Sequence, residues 1–114
     1  MKFSKSLKLN HIFRRLYHTN GQANGLLVLY ARANRLAANR VGVTVGKKLG
    51  KAVVRNRVRR RLREIYRCNE HRFSAGWDIV VVARGRCVTA DFKQLTDAYL
   101  SLADKAGILI KEQP

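Results

Sequence analysis

Two segments of the chain carry apolar residues at the spacing of three and four that is typical of an amphipathic helix. The first follows Asn10, whose side chain can cap a helix, and ends at Asn20-Gly21. Its apolar face consists of Ile12, Phe13, Leu16 and Tyr17. The second runs from about 89 to 105, and its apolar face consists of Phe92, Leu95, Tyr99, Leu102 and Ala106. The pattern therefore predicts one helix near each end of the chain.

Three other segments have the patterns of strands. LLVLYA at 26–31 and WDIVVVAR at 77–84 are short apolar runs, and RVGVTVG at 40–46 alternates. The three valines of the alternating segment point to one face, and Gly42, Thr44 and Gly46 occupy the other. Such small residues leave room for a ligand against the sheet, but they suit a face packed under a helix equally well.

The segment from about 51 to 67 combines helical periodicity with dense positive charge. Its inner face consists of Val54, Val58, Leu62, Ile65 and Tyr66. Ten of the 21 residues from 47 to 67 are Lys or Arg, and one, Glu64, is acidic. This combination predicts a helix with one buried face and a cationic outer face.

The elements follow the order α-β-β-(β)-α-β-α, in which the bracketed strand is a short additional one. We predict an α+β two-layer sandwich, with one central mixed sheet and helices packed on it. A chain of 114 residues supports one hydrophobic core. We therefore expect a single domain over 1–114.

The net charge of +17 belongs to one part of the chain. Residues 1–72 hold 19 of the 24 basic residues and two acids, whereas residues 73–114 hold five of each sign. A field of this strength attracts polyanions and destabilises the free protein by self-repulsion. Solvated faces without a partner normally carry both signs, so the pattern favours a nucleic-acid partner.

The outer face of the basic helix is predicted from its angular spacing. The residues opposite the apolar stripe are Asn56, Arg60, Arg63 and Arg67, flanked by Arg57 and Arg59. Arg55 and Arg61 border the stripe, and Glu64 is spaced to pair with Arg60 and Arg67. The loop bounded by Gly46 and Gly50 carries Lys47 and Lys48, and Lys51 follows it. Backbone N–H groups at a helix N-terminus favour phosphate there.

The titratable residues do not have the spacing of a protein active site. A two-metal nuclease needs several carboxylates at one point, whereas Asp97 and Asp104 are typical of a solvated helix face. His11 and His18 fall on one side of the first predicted helix, a position more typical of a surface than of a general acid. We predict a chain that holds nucleic acid without cutting it.

The cysteines and the hydropathy indicate a cellular compartment. Cys68 and Cys87 lack zinc-ligand spacing, which favours free thiols in a reducing compartment. No apolar run approaches the roughly 20 residues of a membrane span, and the N-terminal segment has no apolar signal core. We expect a cytoplasmic protein with no membrane partner.

Residues 40–64, RVGVTVGKKLGKAVVRNRVRRRLRE, resemble the signature of the protein subunit of bacterial ribonuclease P. The core of that signature is Arg55-Asn56-Arg57, followed by Arg59, Arg60 and Arg63 and preceded by Lys47, Lys48 and Gly50. The first helix, the strand ending at Tyr30 and the Val-Ala-Arg sequence at 82–84 also fall where the family has them. Arg61 departs from the pattern, since the family often has an aliphatic residue there.

The resemblance implies a ribonucleoprotein endonuclease that removes the 5′ leader from precursor tRNA. In this family a large RNA, with Mg²⁺, performs the hydrolysis, and the protein binds that RNA and helps to hold the leader. No obligate protein partner is expected, and a metal site on the protein is left open. The resemblance also implies a left-handed crossover between the strands on either side of the basic helix, although right-handed crossovers are the rule.

The resemblance also assigns roles by position. It implies that the catalytic RNA is bound by Lys47, Lys48, Lys51, Arg55, Asn56, Arg57, Arg59, Arg60 and Arg63. It implies that the leader lies in a cleft between the first helix and the sheet, lined by Phe13, Tyr17 and Tyr30. Arg14 lies beside them, within reach of leader phosphates. From the apolar pattern alone, Phe13 and Tyr17 would be ordinary core residues.

Two other classes of protein remain as alternatives. An RNA-binding protein of the ribosome would share the size and charge of this chain. A DNA-binding module would place the basic helix in a major groove. The second fits less well, because so many outward arginines contact phosphates rather than bases and no symmetric dimer element is visible.

Overall fold

The computed structural model describes the strand at residues 4–6 and the continuous segment 21–110. Five strands form one sheet in the order β1-β4-β5-β3-β2. The strands are β1 (Ser4–Ser6), β2 (Gln22–Ala23), β3 (Leu27–Ala33), β4 (Asn39–Thr44) and β5 (Trp77–Ala83). The helices are α1 (Ala52–Asn69) and α2 (Phe92–Lys105). Short 3₁₀ turns lie at Lys47–Leu49, Glu70–Arg72 and Gly85–Val88.

The sheet is mixed, as predicted. Strand β4 pairs in parallel with β1 and β5, whereas β3 pairs antiparallel with β2 and β5. Because β4 and β5 are parallel neighbours and α1 lies between them in the chain, they form a β-α-β crossover. The crossover is confirmed, and its left hand stays a prediction.

The predicted elements from residue 26 onward are confirmed, with small shifts at their ends. Helix α2 begins three residues later than predicted because Asp91 forms a capping box with Gln94. The Asp91 carboxylate accepts from the Gln94 backbone N–H at 2.7 Å, and the Gln94 side chain accepts from the Asp91 N–H at 2.9 Å. The helix predicted to end at Asn20-Gly21 lies outside the described residues.

Both helices pack on one face of the sheet and contact each other. The predicted inner stripe of α1 is confirmed for Val58, Leu62, Ile65 and Tyr66, which are all buried, whereas Val54 at its start is only half-buried. From α2, the fully buried side chains are Leu95, Tyr99, Leu102 and Ala103. Phe92, in contrast, is 43% exposed at the first residue of its helix and lies outside the core cluster. The core therefore holds α1 firmly against the sheet along most of its length.

A buried polar residue fixes the C-terminal half of α1 to two strands. Asn39 is 4% exposed, and its Nδ2 donates to the Tyr66 hydroxyl at 3.1 Å and to the Ser74 carbonyl at 3.0 Å. Its Oδ1 accepts from the Trp77 backbone N–H at 2.8 Å. Buried polar groups are costly unless they are paired, so this network favours one placement of the helix.

None of the helices between residues 21 and 110 has both the length and the apolar character needed to span a bilayer.

Candidate nucleic-acid interface

The loop before α1 presents its lysines from an ordered turn. Leu49 N–H donates to the Gly46 carbonyl at 3.1 Å, and Gly50 N–H donates to the Lys47 carbonyl at 3.3 Å. Gly50 has φ 135°, a conformation that favours glycine. Leu49 is half-buried against the core, whereas Lys47, Lys48 and Lys51 are exposed. The turn therefore holds three ammonium groups close to the helix N-terminus.

The outer face of α1 is cationic, as predicted. The exposed residues are Asn56, Arg57, Arg60, Arg63 and Arg67. Arg55, Arg59 and Arg61 are half-buried at the margins of the inner stripe. The structure therefore brings together all nine residues predicted to bind the catalytic RNA, on one helix and the turn that precedes it.

Two of the marginal arginines are held in place by neighbouring groups. Arg55 Nε donates to the Gly50 carbonyl at 3.2 Å. Arg59 donates to the Asn56 Oδ1 at 2.8 Å and to the Val45 carbonyl at 3.5 Å. A guanidinium has five N–H donors, so each keeps donors for an external anion. Prior ordering of the side chains lowers the entropy cost of binding.

Arg61 has a structural contact that sequence reasoning missed. Its Nη1 donates to the Ala90 carbonyl at 3.2 Å, just before the cap of α2. This bond joins α1 to the segment that leads into α2, across 29 residues of chain. The contact accounts for an arginine beside the apolar stripe, and it directs Arg61 toward the protein rather than toward an RNA.

The predicted pairing of Glu64 is confirmed for Arg67 and wrong for Arg60. Arg67 Nε donates to Glu64 Oε2 at 2.9 Å, and its Nη2 bonds Oε1. Among the described residues Arg60 forms no ion pair. The bidentate pair with Arg67 occupies both carboxylate oxygens, so Arg60 keeps its charge for the outer face. The charges of Glu64 and Arg67 largely cancel at the C-terminal end of α1.

These bonds lower the pKa of the Glu64 carboxyl from its ordinary 4.5 to about 2. The hydrogen bond from Arg67 contributes most, followed by the one from the Cys68 thiol at 3.4 Å. The same pair raises the pKa of Arg67, and the bond to Glu64 raises the pKa of Cys68. The folded protein therefore favours the charged form of Glu64.

We expect Glu64→Gln to lower the melting temperature at neutral pH and to have little effect near pH 2. A depressed pKa stabilises the fold above the unfolded value of 4.5, and that contribution is lost as the pH falls toward about 2. Calorimetry of both proteins from pH 7 to 2 measures the difference. Asp97→Asn is the matched control, since Asp97 is exposed on α2 and outside both ion pairs of the described segment. A difference that does not change with pH would contradict the role of this pair.

The opposite face of the sheet carries Tyr30, the described member of the predicted leader cleft. Tyr30, Val80 and Gly42 lie in one row across β3, β5 and β4. Val80 is 0% exposed and Gly42 is buried, so the centre of this face is closed to solvent, while Tyr30 is half-buried. Of the two alternatives for the small residues of this face, room for a ligand or packing, the burial favours packing at the centre of the row.

Gly21 lies against the Tyr30 ring. A Cβ atom at position 21 would lie 2.7 Å from Cε1 of Tyr30, closer than such atoms approach in proteins. Glycine therefore allows the chain to pass over the edge of the ring. Phe13, Arg14 and Tyr17 lie outside the described residues, and their place in a cleft with Tyr30 stays a prediction.

A shallow cavity on the outer face of α1 was not predicted. Its volume is about 340 Å³, and it is lined by Val53, Val54, Asn56, Arg57 and Arg60. Val53 is 73% exposed. The signal in the sequence is an aliphatic residue that falls outside the 54–58–62 stripe, on the side of the arginines.

The part of the chain that the structure describes contains no group of three or more His, Cys, Asp and Glu residues placed to hold a metal ion.

Comparisons with known proteins agree with the resemblance in the sequence. The family model described as Ribonuclease P matches residues 1–107. The ribonuclease P protein component of Alkaliphilus oremlandii is 43% identical over 110 residues, which cover 96% of each chain. That of Thermoanaerobacter pseudethanolicus is 45% identical over 104 residues, covering 90% of this chain and 89% of the relative.

Solved structures are similar over nearly the whole chain. The RNase P protein of Staphylococcus aureus has a TM-score of 0.84 at 29% identity, covering 92% of this chain and 97% of that one. The RNase P protein of Thermotoga maritima has a TM-score of 0.81 at 29% identity, covering 95% and 99%. With a family model over residues 1–107 and relatives above 40% identity, the chain belongs to the ribonuclease P protein family.

Proposed function

We propose that α1 and the lysine turn before it bind the ribonuclease P RNA, and that the sheet face with Tyr30 holds the 5′ leader of precursor tRNA. As a member of this family, the chain is the protein component of a tRNA-processing endoribonuclease. Its partners are the ribonuclease P RNA and the precursor tRNA. The proposal assigns each partner to a separate surface.

The observation that carries the first assignment is the fixed array of arginines on α1. The helix buries one face, and its single acidic residue is engaged by Arg67. Arg57, Arg60 and Arg63 are exposed at helical spacing, and Arg55 and Arg59 are held beside them. Guanidinium groups bind phosphate in a bidentate way. A rigid cationic face therefore suits the backbone of a folded RNA.

The leader assignment depends on aromatic stacking. Tyr30 presents a half-buried ring on the sheet face opposite the core, and Gly21 keeps the chain close to it. Stacking of an unpaired base on an aromatic ring contributes about 1–3 kcal/mol and tolerates any sequence. Phe13 and Tyr17 would add two rings, and Arg14 would reach leader phosphates. A surface of this kind accepts leaders of different sequence.

We assign the hydrolysis to the RNA subunit. Ribonuclease P is a metal-dependent ribonucleoprotein, and we propose that Mg²⁺ acts at the RNA. The described residues of this chain supply charge and orientation for both RNA partners. A cytoplasmic site of action is consistent with two free cysteines, one exposed and one buried.

Site-directed crosslinking tests both assignments in one complex. Cys68→Ser removes the exposed thiol, and Cys87 stays, since it is buried and bonds the Leu26 carbonyl at 3.0 Å. Single cysteines are then placed at positions 30 and 60 and carry a photoreactive group in the reconstituted holoenzyme. We expect position 60 to label the ribonuclease P RNA and position 30 to label the leader.

The control for this experiment is Asp104→Cys, on the exposed side of α2. It carries the same reagent on a surface assigned to neither RNA. Labelling of the leader from position 60, or equal labelling of both RNAs from position 104, would contradict the proposal. Position 17 is labelled in parallel, because it belongs to the predicted cleft.

A further inference from the structure

The cavity on α1 differs in chemistry from the rest of the basic face. Its wall includes Val53, which is 73% exposed, and the half-buried Val54. Apart from Val53 and Ala52 at the first position, the exposed side chains of α1 are Asn56, four arginines and Cys68 near the C-terminal end. A phosphate would gain nothing from contact with two aliphatic side chains. The apolar wall therefore indicates a ligand with an uncharged, flat surface.

The polar wall of the cavity offers a donor with a set orientation. Asn56 Oδ1 accepts from Arg59 at 2.8 Å, which leaves the Nδ2 group as the side of the amide open to a ligand. Nδ2 makes no hydrogen bond with the described residues. A ligand with an acceptor at its edge would satisfy this donor.

Arg57 and Arg60 complete the rim, one and two turns along the helix from Val53. Neither forms an ion pair within residues 21–110. Their guanidinium planes can stack on a base or bind the phosphates that flank it. The volume of about 340 Å³ is at the lower end of the range for small-molecule sites, about 300–1,000 Å³. A cavity of this volume has room for one planar group.

We propose that this cavity binds an unpaired nucleobase of the ribonuclease P RNA, with Val53 and Val54 against its face and Asn56 at its edge. The inference rests on the proposed function, since it names the RNA feature that the basic helix recognises. Sequence-specific RNA recognition targets unpaired bases in this way, by stacking together with hydrogen bonds to base edges. The base contact adds specificity to a surface whose other contacts are to phosphate.

The variant Val53→Asn tests the apolar contact without changing a charge. Valine and asparagine have similar helix propensities, and the side chain is mostly exposed, so the melting temperature is expected to stay the same. Affinity for the ribonuclease P RNA is expected to fall about five- to tenfold. The slope of log affinity against log salt is expected to be unchanged, because no phosphate contact is lost.

The matched control is Ile110→Asn, which replaces another aliphatic residue, 58% exposed, outside α1. It is expected to bind the RNA as the parent protein does. Equal affinity of Val53→Asn and the parent protein would overturn the inference, and so would equal loss in both variants. Failure of the parent protein to bind this RNA would instead overturn the proposed function.

A direct measurement separates base from phosphate. The Val53 methyl and Asn56 amide signals are followed by NMR while adenosine monophosphate or ribose 5-phosphate is added to the full chain. We expect adenosine monophosphate to shift both signals and ribose 5-phosphate to shift neither comparably. The same shifts with both probes, or no shift with either, would show a cavity that does not take a base.

Discussion

Replacement of Arg55, Arg57 and Arg60 together by glutamine is expected to weaken assembly with the ribonuclease P RNA by at least about a hundredfold at 0.15 M salt. Each hydrogen bond to a charged group contributes about 1.5–3 kcal/mol, and neighbouring losses do not add fully. Glutamine has a helix propensity close to that of arginine and keeps a polar side chain, so the three replacements mainly remove three charges. Filter binding or mobility shift with the purified RNA measures the effect.

The salt dependence identifies what the three arginines contact. If the parent protein meets about six phosphates, log affinity falls with log salt at a slope of roughly −4 to −5. Loss of three contacts should reduce that slope by about two to three. A nearly flat profile for the parent protein would contradict a phosphate-binding surface, whatever the variant does.

The matched control replaces Arg32, Arg35 and Arg72 by glutamine. These three are exposed and lie outside α1, and their removal changes the net charge of +17 by the same three charges. Assembly of this variant should be nearly unchanged, because screening limits long-range attraction to about a Debye length. An equal loss in both variants would mean that total charge, rather than the array on α1, drives binding.

Most of the architecture followed from periodicity. The valine alternation before the basic segment and the apolar run after it placed β4 and β5 within a residue or two of their observed ends. The stripe from Val58 to Tyr66 identified the buried face of α1. These predictions hold because burial of an apolar face dominates the free energy of folding. The residues that form each apolar face are also close together in the sequence, so the pattern is visible there.

The side-chain contacts around the site could not be predicted from periodicity. Arg61 bonds Ala90, and Asn39 bonds Tyr66 across 27 residues, so the partners depend on the packing of helices and strands. Glu64 had two arginines at suitable spacing, and only the structure distinguishes Arg67 from Arg60. Val53 was one valine of a pair at 53–54. The stripe places Val53 on the side of the arginines, but the cavity beside it depends on where the side chains of Arg57 and Arg60 lie, which periodicity does not give.

The net charge links RNA binding to the stability of the fold. A chain with a net charge of +17 opposes its own folding, and a bound polyanion offsets this repulsion through preferential binding to the native state. Burial of the apolar side of α1 must therefore offset the repulsion among the positive charges on its other side. The interface for the RNA depends on the core beneath it.

Leu62→Ala is expected to lower the free energy of unfolding by about 2–5 kcal/mol. Leu62 is 0% exposed and lies between Arg61 and Arg63, on the inner face of α1. Truncation removes its apolar contacts and leaves a cavity between helix and sheet. Urea is the suitable denaturant, because guanidinium salt would screen the charges that also oppose folding. Sulfate is expected to recover part of the loss by binding the native basic face.

For Arg63→Ala, one residue away, the opposite result is expected: the stability stays nearly the same and RNA binding weakens. Arg63 is exposed, so its removal should change the free energy of unfolding by no more than about 0.5 kcal/mol while weakening RNA binding in a salt-dependent way. Leu62→Ala should bind the RNA with a normal salt slope, reduced in affinity only by the fraction of unfolded protein. If Leu62→Ala proved as stable as Arg63→Ala, the inner face of α1 would not be what holds the arginines in place.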